Sequence, residues 1–262
     1  MSILIDGDDQ PTHSNTRRRI CNACERPAAV CLCDSIPAEP LSTNTQIVIL
    51  QHPHEQRHRL ATVPVLNKCL RNCQTLTGRR LRRGDSPLLD SLHDAASEQN
   101  PNQSLHAAFL FPGTDSTPSM EINQWKSSFG DADVDKFVLI VFDGTWKHAK
   151  EMVSASLPFV SKFATQVSLT YDIRVDGGTK FSSDLTLRKE PFGGCMSTME
   201  AVARCLRVLE PNGLDIESRL VQVIRTMVRF QASFLKPTNR RPKLLKGSKD
   251  DEKKINSRSF CT

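Results

Sequence analysis

The stretch Lys136–Met152, KFVLIVFDGTWKHAKEM, decides the fold reading. Phe137 to Phe142 is an unbroken apolar run of strand length, which suits a strand covered on both faces, as in a parallel sheet. The run stops on Asp143-Gly144-Thr145-Trp146, and from Trp146 to Ser156 the apolar residues return at helical spacing. A buried strand that ends on a polar turn and feeds a helix is the repeating unit of α/β folds, in which ligands sit beyond the carboxyl ends of the strands. Asp143 falls at such an end.

Outward from this unit the same alternation recurs. Gln46–Leu50 precedes a basic helical stretch over Leu60–Cys73, and Ala107–Phe111 precedes a helical pattern over Ser119–Phe129. Gln166–Tyr171 and then Ser197–Leu209 continue the series. The spacing predicts an α/β fold with a mostly parallel sheet. A closing helix over Ile216–Phe234 places Leu220, Val223, Ile224, Met227 and Phe234 on an apolar stripe, with Arg219, Arg225 and Arg229 interleaved. Those arginines are either a phosphate-facing surface or a solvated one.

The chain has 262 residues, 38% of them apolar and 24% charged, enough for one substantial core with a small appendage. The longest apolar run is far below the roughly 20 residues of a membrane-spanning helix, and MSILIDGDDQ lacks a basic-then-apolar signal pattern. The expectation is an intracellular protein, cytoplasmic or nuclear, with no membrane partner. Residues 1–16 are polar and 238–262 mix basic, acidic and Ser residues with few large apolar ones, so both ends are expected to be disordered. Between them, 17–40 reads as a metal-binding module and 41–237 as the main folded domain.

Cysteine spacing defines that module. Cys21-x-x-Cys24 followed by Cys31-x-Cys33 puts four thiols in one short segment, enough to close a tetrahedral Zn²⁺ site without another ligand. Cys69 and Cys205 lie on apolar helical stripes and read as core residues. The net charge of +6 is clustered, at Arg17-Arg18-Arg19, at Arg79-Arg80-Leu81-Arg82-Arg83 and through the tail, which points to a polyanion or to solvated faces.

Further polar groups gather at predicted strand ends. Gln51-His52-Pro53-His54-Glu55-Gln56-Arg57-His58 follows the first strand and reads as a substrate-contact loop, with His52, Glu55 and Arg57 as contacts. A metal site there is the alternative, although Pro53 breaks a helix-based arrangement. Phe111-Pro112-Gly113 follows another strand. Gly193-Gly194 precedes Ser197-Thr198-Met199-Glu200, where Ser197 and Glu200 fit a capping box at a helix start able to receive a ligand. The carboxylate of Asp143 is either a general base or a turn residue, and Trp146 either a stacking surface or a core anchor.

In order along the chain, the four-cysteine cluster, QHPHE (Gln51–Glu55), LFPGTDS (Leu110–Ser116), DGTW (Asp143–Trp146), YDIR (Tyr171–Arg174) and STMEA (Ser197–Ala201) resemble the DTW-domain proteins, the tRNA-uridine aminocarboxypropyltransferases. The resemblance covers nearly all of the folded body, and departs from the pattern in the long Gly-containing segment VDGGTKFSSDLTLRKEPFGGC, Val175–Cys195. It implies a SPOUT-like fold with a C-terminal trefoil knot. It also implies S-adenosylmethionine as donor of the 3-amino-3-carboxypropyl group, and N3 of a tRNA uridine as acceptor.

On this resemblance Asp143, Thr145 and Trp146 are the catalytic residues. Phe111, Pro112, Gly113, Asp143, Gly144, Ser197, Thr198 and Glu200 contact the donor. His52, Glu55, Arg57, Tyr171, Arg174, Arg79, Arg80, Arg82 and Arg83 contact tRNA. The competing functions are a SPOUT-type RNA methyltransferase using the same donor and a non-enzymatic zinc-containing RNA-binding protein. Nothing in the sequence marks an oligomer interface.

Overall fold

The computed structural model describes residues 19–98, 105–113, 117–130, 137–169 and 196–234. Six strands form one parallel sheet: β1 (Gln46–Gln51), β2 (Cys73–Thr77), β3 (His106–Leu110), β4 (Met120–Glu121), β5 (Phe137–Asp143) and β6 (Ala164–Ser168), in the spatial order β2-β1-β5-β3-β6-β4. The helices are α1 (Val63–Cys69), α2 (Pro87–Ser97), α3 (Ile122–Ser127), α4 (Trp146–Val160), α5 (Thr198–Leu209) and α6 (Gly213–Phe234), and a short 3₁₀ turn covers Ala28–Val30.

The two-residue alternation of strand side chains divides the core. Ile47, Ile49, Phe137, Leu139 and Val141 join the apolar cluster under α1, α3, α5 and α6, while Val48, Leu50, Val138, Ile140 and Phe142 join the cluster with residues of α2 and α4. Both faces of β5 are therefore covered, and all seven of its residues are buried. This is the physical reason its sequence is uniformly apolar rather than alternating.

Several boundaries differ from the sequence reading. The expected helix over Leu60–Cys73 is only α1, with Cys73 opening edge strand β2, since the chain must extend after Leu70 to pair with β1. Helix α2 carried no expectation, although Leu89 and Leu92 bury its apolar stripe. Helix α3 starts at Ile122 rather than Ser119, because the Glu121 carboxylate accepts from the Asn123 and Gln124 amides and caps it there. Gly144 has ordinary backbone angles and is no left-handed hinge. A Cβ there would lie 3.1 Å from His148 Cβ and 3.2 Å from Met152 Cε, so glycine lets the turn pack against the first turns of α4.

The four-cysteine segment is fastened to this body. Leu32, fully buried, belongs to the α5–α6 cluster, Ser35 Oγ donates to Thr226 Oγ1 at 3.0 Å, and Lys68 pairs with Glu25. The knotted C-terminal crossover implied by the resemblance would involve residues 170–195, which lie outside the described residues, as do the expected disordered ends. No helix of the described residues is long and apolar enough to cross a membrane.

Candidate functional site

The site is built where β1 and β5 end side by side, with Gln51 in register with Asp143. Both side chains share the parity of Ile49 and Val141, so both point to the α5 face of the sheet. There Asp143, only 7% exposed, accepts from Gln51 Nε2 on Oδ2 at 3.0 Å and from Thr198 Oγ1 on Oδ1 at 2.5 Å. Its carbonyl accepts from the His52 amide at 2.8 Å. One carboxylate thus ties the β1 end and the start of α5 to the DGTW turn.

The α5 N-terminus is prepared for that contact. Ser197 is the N-cap and its hydroxyl accepts from the Glu200 amide at 3.3 Å. The reciprocal half of the expected capping box is not made: Glu200, 2% exposed, instead accepts from Arg204 at 3.0 Å, one helical turn on. Burial pushes the Glu200 carboxyl up, and the Arg204 hydrogen bond and charge oppose that shift. Glu200 therefore acts by holding the first turn of α5. The Met199 amide donates to Thr62 Oγ1 at 3.4 Å, linking the loop after β1 to the same turn.

The next residue along each strand has the opposite parity and falls on the α4 side. His52 stacks on His148 of α4 with ring centroids 3.8 Å apart and planes inclined by 11°. Phe111, one residue past β3, stacks on Trp146 at 5.4 Å and 15°. The Lys150 ammonium lies 5.3 Å from the Trp146 centroid, a cation–π distance. Trp146 is thus a partly exposed member of an aromatic surface rather than a core anchor. Burial foremost, then the charges of His148, His54 and Arg79, pushes the His52 pKa below the usual imidazole value against the opposing Glu55.

Thr145 is the N-cap of α4, its Oγ1 accepting from the His148 amide at 3.4 Å. Gly113 is required by packing: a Cβ there would lie 2.6 Å from the Ser119 backbone nitrogen. Pro112 is exposed beside it. Of the loop after β1, Glu55 is buried and Arg57 exposed. His58 turns back on its own chain, accepting from the Leu60 amide. All four arginines of the basic run are exposed, but Arg82 pairs with Asp85 and Arg83 with Asp94 at 2.9 Å. Arg79 and Arg80 have no carboxylate partner among the described residues. Tyr171 and Arg174 lie outside the described residues.

The four thiols converge. Cys21 and Cys33 sulfurs are 3.5 Å apart, those of Cys24 and Cys31 3.6 Å, and all four lie within 4.8 Å of one another. Tetrahedral Zn–S bonds of about 2.3 Å set sulfur–sulfur edges near 3.8 Å, so the set fits Zn²⁺. The backbone amides of Cys24 and Ala23, aimed at the Cys21 sulfur, hold its thiol down to about 6, while the neighbouring thiols push that of Cys33 up to about 12.

Residues missed by the sequence reading are Thr62, His148 and Arg204, while Gln51 was read only as part of the substrate-contact loop. Only Gln51 carried a usable signal: its parity with Ile49 at the end of a strand beside that of Asp143.

A parallel α/β domain with a donor-clamped carboxylate at adjoining strand ends, facing a helix N-terminus, is a ligand-binding α/β protein in class. The chain belongs to the DTW domain family, whose model matches residues 18–232. It is 45% identical to a protein of Arabidopsis thaliana named tRNA-uridine aminocarboxypropyltransferase A, over 91% of this chain and 90% of that one. It is 31% identical to proteins named tRNA-uridine aminocarboxypropyltransferase 2 from Macaca fascicularis and Drosophila melanogaster, covering 84% and 82% of this chain and 66% and 76% of theirs. No solved structure matches the chain.

Proposed function

We propose that this protein transfers the 3-amino-3-carboxypropyl group of S-adenosylmethionine to N3 of a uridine in tRNA. The observation that carries the reading is the convergence of three separate segments on Asp143: the end of β1, the DGTW turn and the Thr198 hydroxyl that begins α5. The names of the relatives supply the chemistry. S-adenosylmethionine supplies an electrophilic carbon next to a sulfonium. The start of α5, with Ser197 and Thr198 at the positive end of the helix dipole, suits the carboxylate of such a donor. Phe111, Pro112, Gly113 and Gly144 line the approach, and Glu200 supports it through Arg204.

Uridine N3 is a poor nucleophile while protonated. Asp143 takes that proton, N3 forms a bond to the donor's γ-carbon, and the C–S electron pair leaves with methylthioadenosine. Trp146 and Phe111 offer the flat surface on which a base stacks. Arg79 and Arg80, with Arg57, Tyr171 and Arg174, engage the tRNA backbone, and Arg82 and Arg83 do so only after exchanging a carboxylate for a phosphate. Cys21, Cys24, Cys31 and Cys33 hold a structural Zn²⁺. The C-terminal region forms a SPOUT-like knot, which an experimental chain trace through it would test. The protein acts in the cytoplasm or nucleus, where tagged full-length protein would be found by imaging.

The deciding experiment incubates the purified protein with unmodified tRNA and S-adenosylmethionine and analyses both products by mass spectrometry. Uridine carrying the aminocarboxypropyl group together with methylthioadenosine is the expected result. Methylated nucleoside with S-adenosylhomocysteine would identify a methyltransferase instead. Failure to bind the donor, while tRNA still binds, would leave an RNA-binding protein.

A further inference from the structure

Beyond the thiol cluster, the described residues contain a second group of side chains whose ligand atoms converge: His52, His54 and His148, all within 4.8 Å of one another. Two come from the loop after β1 and the third from the first turn of α4. The register of Gln51 with Asp143 brings these segments together. His52 and His54 flank Pro53, and the His54 amide donates to His52 Nδ1 at 3.3 Å, which curls the loop so that the two rings meet edge to face at 4.8 Å. His54 also meets His148 edge to face, at 5.3 Å.

We propose that His52, His54 and His148 form a second metal site, a three-imidazole site for a divalent cation of the zinc class, distinct from the four-cysteine cluster. The independent observation is at His148, whose Nδ1 is buried without a hydrogen-bond partner. A buried polar atom left in that state costs about 1–3 kcal/mol, so an imidazole nitrogen held so at the edge of an open loop calls for a ligand. Nitrogen-only ligation suits Zn²⁺, Co²⁺, Ni²⁺ or Cu²⁺ and not Mg²⁺ or Ca²⁺, which take oxygen. Three protein ligands leave the fourth tetrahedral position open to an oxygen from solvent or substrate, whereas the cysteine cluster is closed.

Ligation requires a local adjustment. Tetrahedral bonds of about 2.05 Å place the nitrogens near 3.3 Å apart, and the nearly parallel rings of His52 and His148 direct their in-plane lone pairs alongside each other. One ring must rotate about χ2, a soft torsion for histidine. His54, exposed on its loop, closes from the side. His148 is fixed by the helix that Thr145 caps.

The test reads metal directly and is independent of transfer activity. Co²⁺ is titrated into the full-length protein as isolated, with absorption and equilibrium dialysis as readouts. Thiolate coordination shows intense sulfur-to-cobalt charge transfer in the near ultraviolet; a three-imidazole site shows only weak visible d–d bands. The expected result is a tightly held equivalent with d–d bands and no charge transfer, in addition to the equivalent at the thiols. His54→Ala, at an exposed position, should abolish that equivalent while leaving the thiol equivalent and the circular dichroism unchanged, and His148→Ala should do the same. Binding of the thiol equivalent alone by the unaltered protein, or persistence of the second equivalent in His54→Ala and His148→Ala, overturns the proposal.

Discussion

Asp143 makes the clamp seen in the structure and is the proposed general base, and substitution tells the two roles apart. In Asp143→Asn the Thr198 hydroxyl can still donate to the remaining oxygen, and the Gln51 amide can turn to accept from the new NH₂, so the clamp survives with a loss of about 1 kcal/mol. A general base contributes about 10²–10⁴-fold. Single-turnover transfer by Asp143→Asn should therefore fall a hundredfold or more, and partly recover as pH rises, because more of the uridine is then already deprotonated. Near wild-type turnover by a folded variant would make Asp143 a positioning residue only. Thr145→Val is the contrast: it removes the α4 cap, lowering stability in denaturant titration by about 1 kcal/mol, and should show no recovery with pH. The turn itself was legible in DGTW. That Thr145 and not Asp143 is the cap follows from where β5 ends, because Asp143 is still paired in the sheet.

Among the elements, α5 depends on a buried ion pair for the geometry of its first turn. Arg204→Met would strand Glu200, 2% exposed, without its cation, while Glu217 retains Arg207 at 3.3 Å. Breaking a buried pair from one side costs about 3–5 kcal/mol. Burial already raises the Glu200 pKa, and without Arg204 it rises further. The folded state then binds the proton more tightly than the unfolded one. The penalty is accordingly full above the folded pKa and relieved as pH falls towards the unfolded value. Melting curves of Arg204→Met should improve on acidification, and adding Glu200→Gln should restore stability at neutral pH; a flat pH response would refute the account. The sequence announced α5 and its Ser197 cap correctly. It did not announce where the Glu200 side chain goes, because a capping box and an i,i+4 ion pair offer the same carboxylate two partners of similar reach. Edge strand β2 escaped because it is a short strand with exposed positions, whose apolar pattern is weaker than that of β1 or β5.

For the molecule as a whole, the cysteine segment and the arginine run make separate forecasts. The paired change Cys21→Ser with Cys24→Ser should remove one zinc equivalent in elemental analysis and lower the melting temperature, since Leu32 and Ser35 anchor that segment to α6 and its neighbours. A zinc content undiminished by that change would exclude the cluster. If the basic run meets tRNA phosphates, Arg79→Ala with Arg80→Ala should flatten the dependence of log affinity on log salt by about 0.7–0.9 for each phosphate no longer neutralised. Arg82→Ala with Arg83→Ala should change it less, because those guanidinium groups already have carboxylates. Equal slopes for all variants would assign the run to solvent. What the amino-acid order determined by itself was local: the doubly covered strand β5, the polar turn at its end, the cap at Ser197 and the thiol spacing of Cys21, Cys24, Cys31 and Cys33. Each depends on residues a few positions apart, where periodicity and capping chemistry operate. Only the tertiary structure decided that Gln51 and Thr198 share Asp143, 92 and 55 positions away along the chain, and that His148 joins His52 and His54. Those meetings follow from strand order, register and the parity of side chains across the sheet, which no stretch of local sequence encodes.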